Sequence, residues 1–382
     1  MKDPTEKPGL NTLMTLSKSI LSVDVRTTTS LDLTSCCLTY IPSVLKDLPL
    51  RNLKLSKNKL KEIPECLYLG LEKLEYLDLC HNQIKTFEVE PKCCETLKML
   101  NISYNKMADI PQWILCLYAT NLEELCYDFN RVTCLRCIFD NPEKFPVKKL
   151  SMKNCILRKE DCNFLKQCKN LEQLNISNST ESTLHSNIIE NVEQLFIQPN
   201  WKNINILKLN NIAISIFPEN LTWLETLTEL HLTHNDFMWL PIDGLEFLVN
   251  LEVLDLSHNS LYSIPDKLCW LENLKVLKLN FNNIESIPDF SKMERLEILD
   301  LYYNKLLNFE YNMDTKNLKY LDLEFNYFNT EDYGLVSYEH KRDEFQESYK
   351  MKKGSMDIER CMIVFNLLIQ TLYANIPISQ TF

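Results

Sequence analysis

Fifteen cysteines and six histidines are the side chains of this 382-residue chain best suited to chemistry. Cys134-x-x-Cys137 has the spacing of a metal-binding thiolate pair, and Cys162 with Cys155 or Cys168 could complete a tetrahedral zinc set. A lone Cys-x-x-Cys is a weak signal, so most of these thiols are expected to fill a core, with zinc as the minor alternative and no cofactor assigned. His231, His234 and His258 lie close in sequence. Acid–base work would need a carboxylate or thiol partner and a pocket to shift a pKa, and they are expected to be polar rim residues instead. No Gly-x-Ser-x-Gly, phosphate loop, His-Glu-x-x-His or kinase set occurs. The chain is therefore not expected to be an enzyme or to bind a small-molecule substrate.

The elements that would hold these residues come from a repeat. "LEVLDLSHNSLYSIP" from Leu251 returns as "LKVLKLNFNNIESIP" at Leu274, "LRNLKLSKNKLKEIP" at Leu50 and "LKMLNISYNKMADIP" at Leu97. Copies begin at Thr28, Leu50, Leu74, Leu97, Leu122, Val147, Leu171, Ile204, Leu227, Leu251, Leu274, Leu296 and Leu318. Most steps are about 22 to 25 residues, a period at which each unit must stack on its neighbours to bury its apolar face. In "LDLSHN", Leu254 and Leu256 alternate with Asp255 and Ser257, so a short strand turns its leucines inward and its polar residues to the concave face. The ninth residue is Asn58, Asn82, Asn105, Asn130, Asn235, Asn259, Asn282, Asn304 or Asn326, an amide able to satisfy backbone groups where the chain turns off the sheet. Pro42, Pro64, Pro111, Pro218, Pro241, Pro265 and Pro288 then start the convex return.

This pattern resembles the leucine-rich-repeat superfamily over residues 28–328. Through its prolines it resembles the cytosolic short-repeat scaffolds of the Ras-group and Erbin-like proteins. The resemblance implies an α/β solenoid, a horseshoe of about 13 repeats with a parallel concave sheet and helical caps. It also implies a scaffold or adaptor, in small-GTPase or phosphatase signalling. In consecutive repeats Cys137 and Cys162 hold one position, and they are expected side by side on the convex surface.

Three domains follow: an N-terminal cap at 1–27, the solenoid at 28–328, and a charged linker with a capping helix at 329–382. In the last of these, Ile358, Cys361, Met362, Phe365, Leu368, Ile369 and Leu372 form an apolar stripe at helical spacing. Cys36, Cys155 and Ser179 replace the ladder Asn, Ile212 holds its place in the eighth copy, and the copy at 171–203 is about ten residues too long. Residues 180–203 are expected to be an enlarged convex segment. "VEQLFIQPN" inside it comes too soon before Ile204 to be a repeat of its own.

The net charge of −11 disfavours nucleic acid, which needs a basic stripe. The start "MKDPTEKPGLNTLMTLSKSIL" lacks the pattern of a signal peptide, and an odd cysteine count suggests reduced thiols, so a cytoplasmic location with no membrane span is expected. The C-terminal strands differ from the rest. Val253, Val276, Ile298 and Tyr320 form an apolar column, Phe281, Tyr303 and Phe325 another before the ladder Asn, and Tyr302, Asp300, Asp322 and Glu324 lie beside them. Exposed aromatics flanked by carboxylates would suit a protein partner with an apolar and basic surface; packing along the rim is the alternative. The expected function is a non-catalytic protein-binding scaffold. A ubiquitin-ligase or phosphatase subunit is the second reading, and extracellular recognition the third.

Overall fold

The computed structural model describes residues 27–328, apart from 116–118, 133–134, 136–144, 182–184, 190–191, 198 and 309–316. The expected capping segments, Cys134 and Cys137 lie outside the described residues, Thr27 excepted. Thirteen three-residue strands are described: β1 (Ser30–Asp32), β2 (Asn52–Lys54), β3 (Tyr76–Asp78), β4 (Met99–Asn101), β5 (Glu124–Cys126), β6 (Lys149–Ser151), β7 (Gln173–Asn175), β8 (Ile206–Lys208), β9 (Glu229–His231), β10 (Val253–Asp255), β11 (Val276–Lys278), β12 (Ile298–Asp300) and β13 (Tyr320–Asp322). They pair in chain order into one open parallel sheet, each repeat hydrogen-bonded to the next. The central leucine of each strand after β1, from Leu53 to Leu321, is buried, and it joins the flanking leucines in a single core running the length of the solenoid. The other side of the core is closed mostly by one-turn helices such as Ser43–Asp47, Glu219–Trp223 and Asp266–Trp270.

Buried asparagines hold the register. Asn82 donates from Nδ2 to the carbonyls of Leu55 in the preceding repeat and Leu79 in its own (3.0 Å each), while its Oδ1 accepts from the N–H of Leu60 (3.0 Å). Asn58, Asn105, Asn130, Asn235, Asn259, Asn282, Asn304 and Asn326 repeat the pattern of bridging donors. The residue before each of them has a left-handed backbone, with φ between 52° and 57° at Lys57, His81, Tyr104, Phe129, His234, His258, Phe281, Tyr303 and Phe325. For a residue with a Cβ this conformation costs roughly 1–2 kcal/mol, which the anchored asparagine offsets.

A second register device lies just ahead of the strands. Arg51 pairs with Glu75, Lys98 with Glu75 (2.7 Å), Lys148 with Glu123 (2.9 Å), Lys275 with Glu252 (2.8 Å) and Lys319 with Glu297 (2.8 Å). Each exposed pair contributes little alone, roughly 0–1 kcal/mol, but a one-repeat slip would set like charges together. The row is interrupted at Asn205 and Thr228, the copies that follow the long repeat.

That long repeat shows how register survives an insertion. Ser179, at the ladder position by count, does not serve as the bridge. Asn187 does: its Nδ2 donates to Met152 and Ile176 carbonyls (2.9 and 2.8 Å), and its Oδ1 accepts from Cys155 and Leu157 N–H (2.9 and 3.0 Å). The true ladder residue thus comes eight positions after Ser179, and Asn178 and Asn187 bond each other twice (2.7 and 3.0 Å). The "VEQLF" stretch is a one-turn helix, Val192–Phe196, packed against the helix Lys159–Leu165. Cys155 does stand in the ladder, its thiol donating to Tyr127 and Lys153 carbonyls (3.3 Å each).

Removing the Asn187 amide would leave buried backbone groups of two repeats unpaired, at about 1–3 kcal/mol per group. Asn187→Ala is therefore expected to lower the urea midpoint of the whole chain clearly, with Ser179→Ala close to neutral. Equal effects of the two substitutions would show that Asn187 is not the bridge.

Candidate interaction surface

The chemistry-bearing residues do not converge. Cys162 is wholly buried in the helix Lys159–Leu165, not on the convex surface as expected, because that helix turns its thiol into the core. Burial pushes the Cys162 thiol up to about 12. Cys168 donates to the carbonyl of Phe164 in its own helical turn (3.3 Å), so neither it nor Cys155 faces a shared ion. Among the described residues no group of three or more His, Cys, Asp or Glu is arranged to hold a metal. His231 lies in the strand column between Lys208 and Asp255, 3.4 Å from Glu229, while His234 and His258 sit outside the strands on the rim.

The left-handed turn before each ladder asparagine carries its side chain along that rim at the spacing of the strands. His81, Tyr104 and Phe129 stack with ring centres 4.1 and 4.3 Å apart. A second stack runs from His234 to His258 (4.0 Å), Phe281 (4.3 Å), Tyr303 (5.1 Å) and, tilted, Phe325 (6.2 Å). Of the two readings of these aromatics, rim packing is what the rings do, and it leaves Phe325 and Tyr303 exposed at the C-terminal end. Burial in the stack, with His234 beside it, holds His258 down at about 4.

Beside the stack, Val253, Val276, Ile298 and Tyr320 are register partners on successive strands. The two valines and Ile298 are half-buried, and Glu324 is also half-buried beyond them. Four neighbours are not the outward-facing groups expected. Tyr302 is buried because its ring packs edge-on between Phe281 and Phe325 (5.3 and 5.2 Å). Tyr320 is buried, its hydroxyl donating to Asp322 Oδ2 (2.9 Å). Asp300 and Asp322 are buried too, accepting from the N–H of Tyr302 and Glu324 (3.1 Å each). Their carboxylates are committed to the fold and cannot steer a partner. Reading sequence columns as faces missed this, because adjacent aromatics cover them.

Two hollows are shallow. One of about 150 Å³ lies on the sheet between Glu124, Lys149, Gln173 and Lys208; another of about 290 Å³ opens where Ile189 and Val192 of the long repeat meet Ile212–Ile216.

A leucine-rich-repeat family profile matches residues 49–107 and 249–306. These matched segments carry the leucine-rich repeat, and the fold is that of a leucine-rich-repeat solenoid. Among curated proteins it is similar to podocan-like protein 1 of Mus musculus (29% identical, covering 57% of this chain and 37% of that one). It is also similar to lumican of Bos taurus (28%; 59% and 60%) and keratocan of Bos taurus (26%; 56% and 58%). The chain thus spans less than two thirds of each. Solved structures with the same fold include a leucine-rich-repeat protein of Leptospira interrogans (TM-score 0.55, 22% identical, covering 84% of this chain and 95% of that one). Another is a plant peptide hormone receptor, RGFR1, in complex with RGF2 (TM-score 0.55, 22%, 78% and 52%).

These relatives correct one expectation. Lumican, keratocan and podocan-like proteins are secreted extracellular-matrix proteins, which points away from the cytoplasm. Intracellular signalling, inferred from the cytosolic scaffolds, finds no support in them. The apparent lack of an export signal was a poor guide, because an absent pattern at one end of a sequence carries no physical constraint on the fold. No helix among the described residues is long and apolar enough to cross a membrane.

The lowered His258 has a measurable consequence. A histidine held neutral by the fold adds nothing to stability above its unfolded value of 6.5, but it lowers stability as pH falls from there towards about 4, since only the unfolded chain takes up the proton. His258→Phe is expected to flatten the fall in stability between about pH 6.5 and 4, measured as the difference in urea midpoint from the wild type. Parallel pH profiles would contradict the buried neutral ring.

Proposed function

We propose that this chain is a non-catalytic recognition protein that binds a protein partner on the C-terminal end of its concave surface. Leucine-rich-repeat proteins are protein-interaction scaffolds, and what supports a contact at this end is the exposed rim. Phe281, Tyr303 and Phe325 present ring edges and faces beside a half-buried apolar strip of Val253, Val276 and Ile298. Aromatic side chains held by their neighbours lose little freedom on binding, which makes them effective anchors. Glu324 and the net charge of −11 favour a partner with basic groups around an apolar centre.

A small-molecule reaction is disfavoured by the same geometry. Sites for such ligands usually enclose roughly 300–1,000 Å³; the hollow of about 150 Å³ falls below that range, the one of about 290 Å³ lies at its lower edge, and both are shallow. The buried thiols are held protonated, with Cys155, Cys162 and Cys168 all shifted upward by burial, so they are poor nucleophiles.

Tyr303→Ala with Phe325→Ala should abolish recovery of the partner in cross-linked affinity purification while leaving the thermal midpoint within a few degrees. Losses of about 2 kcal/mol per anchor are typical of such positions. Undiminished recovery by a folded double variant would remove the rim from the binding site.

A further inference from the structure

The opposite side of the solenoid carries a feature that concave recognition does not use. The one-turn helices Glu219–Trp223, Leu245–Phe247 and Asp266–Trp270 are successive neighbours. Each ends on a large apolar residue turned to solvent: Trp223 is 66% exposed, Phe247 57% and Trp270 57%. The column has definite ends. In the preceding helix Phe196 is fully buried, and in the following one, Phe290–Lys292, the place is taken by Lys292. On the flank where the same repeats leave the sheet, Trp239 is 60% exposed and stands 5.3 Å from the ring of Tyr262. Three of the chain's five tryptophans thus face water in neighbouring repeats, whereas Trp113 and Trp201 are buried and donate to Phe87 and Leu165 carbonyls. Exposure of clustered aromatics is costly in water and marks a surface meant to be covered.

The charge around the column selects what covers it. Between Lys208 and Lys267 the sequence carries no Lys or Arg, and Glu219, Glu225, Asp243, Glu246 and Asp266 lie in or beside the outer one-turn helices, whereas Glu229, Glu252 and Asp255 belong to the strand side. Lys267 is itself claimed by Asp243 (2.5 Å) and Glu246 (2.8 Å). A second copy of this chain, or an anionic lipid surface, would bring like charge to like charge. A cation is welcome, as the molecule shows internally: Lys292 Nζ lies 5.9 Å above the Trp270 ring, within the range of a cation–π contact.

We propose that the outer face centred on Trp223, Phe247 and Trp270 is a second docking surface, whose occupant is a protein partner presenting an amphipathic segment with apolar side chains flanked by Lys or Arg. The aromatics supply the buried centre, and exposed carboxylates such as Glu219, Glu225 and Glu272 form the rim. This surface is separate from the concave one, so the two proposals stand or fall apart.

The test uses the purified full chain and a synthetic amphipathic Leu/Lys helix as probe, with a Leu/Glu helix of the same apolar pattern as control. The Lys peptide should bind, shift tryptophan emission to the blue and weaken with salt, and the Glu peptide should not. Trp223→Ser, Phe247→Ser and Trp270→Ser together should weaken it about tenfold or more. Glu219→Lys, Glu225→Lys and Glu272→Lys, which leave every apolar side chain in place, should weaken it as well. The variant at Tyr303 and Phe325 should bind the peptide normally. The proposal is overturned if the triple Ser variant binds the Lys peptide like the wild type, or if both peptides bind alike. It is also overturned if sedimentation shows a dimer of the wild type that the Ser substitutions dissolve, since the occupant would then be another copy.

Discussion

The buried asparagine amide is the interaction on which the other features depend, because it does in one side chain what two turns would otherwise do. Each ladder asparagine donates to carbonyls of its own and the preceding repeat, and its oxygen accepts from the preceding repeat's departing backbone. Polar backbone is thereby satisfied inside an apolar core, where an orphan group would cost about 1–3 kcal/mol. The residue ahead of it sits in a left-handed turn where the chain leaves the sheet, a turn that persists at Ser35, Asn154 and Asn211 before Cys36, Cys155 and Ile212. Strand pairing, core stacking and rim geometry all inherit their period from this bridge.

The rim follows directly. A side chain on a left-handed residue, repeated at the strand spacing, meets its counterpart face to face, so His234, His258 and Phe281 stack at about one ring thickness. The stack loosens towards Tyr303 and Phe325. The proposed concave contact therefore lies where a structural ladder changes gradually into an available surface. The outer face shows the converse: the short helices have few packing demands at their last residue, so an aromatic there is free to serve something outside the chain.

Much of this was legible in the sequence because the repeat imposes a fixed address on each residue. The strand leucines, the ladder asparagines and the apolar column from Val253 to Ile298 could be read by counting, and the register pairs agree with that counting. Counting fails where a residue's neighbours decide its fate. Tyr302 and Asp300 have outward addresses but are covered by adjacent rings and backbone. Asn187 has no address at all, yet it takes the ladder role from Ser179 because an excursion can place any residue at the bridge. Trp223, Phe247 and Trp270 recur at the repeat period, but on the outer face the period alone does not separate an exposed aromatic from a buried one such as Phe196. Location was the least legible property, since it depends on a targeting signal that the fold does not require.

The most direct test of concave recognition is hydrogen–deuterium exchange on the full chain with and without the partner that it captures. Slowed exchange should fall on the segments after β10 to β13, 256–260, 279–283, 301–305 and 323–327, where the rim residues sit. Protection confined to other parts of the chain, with these segments unchanged, would contradict the account.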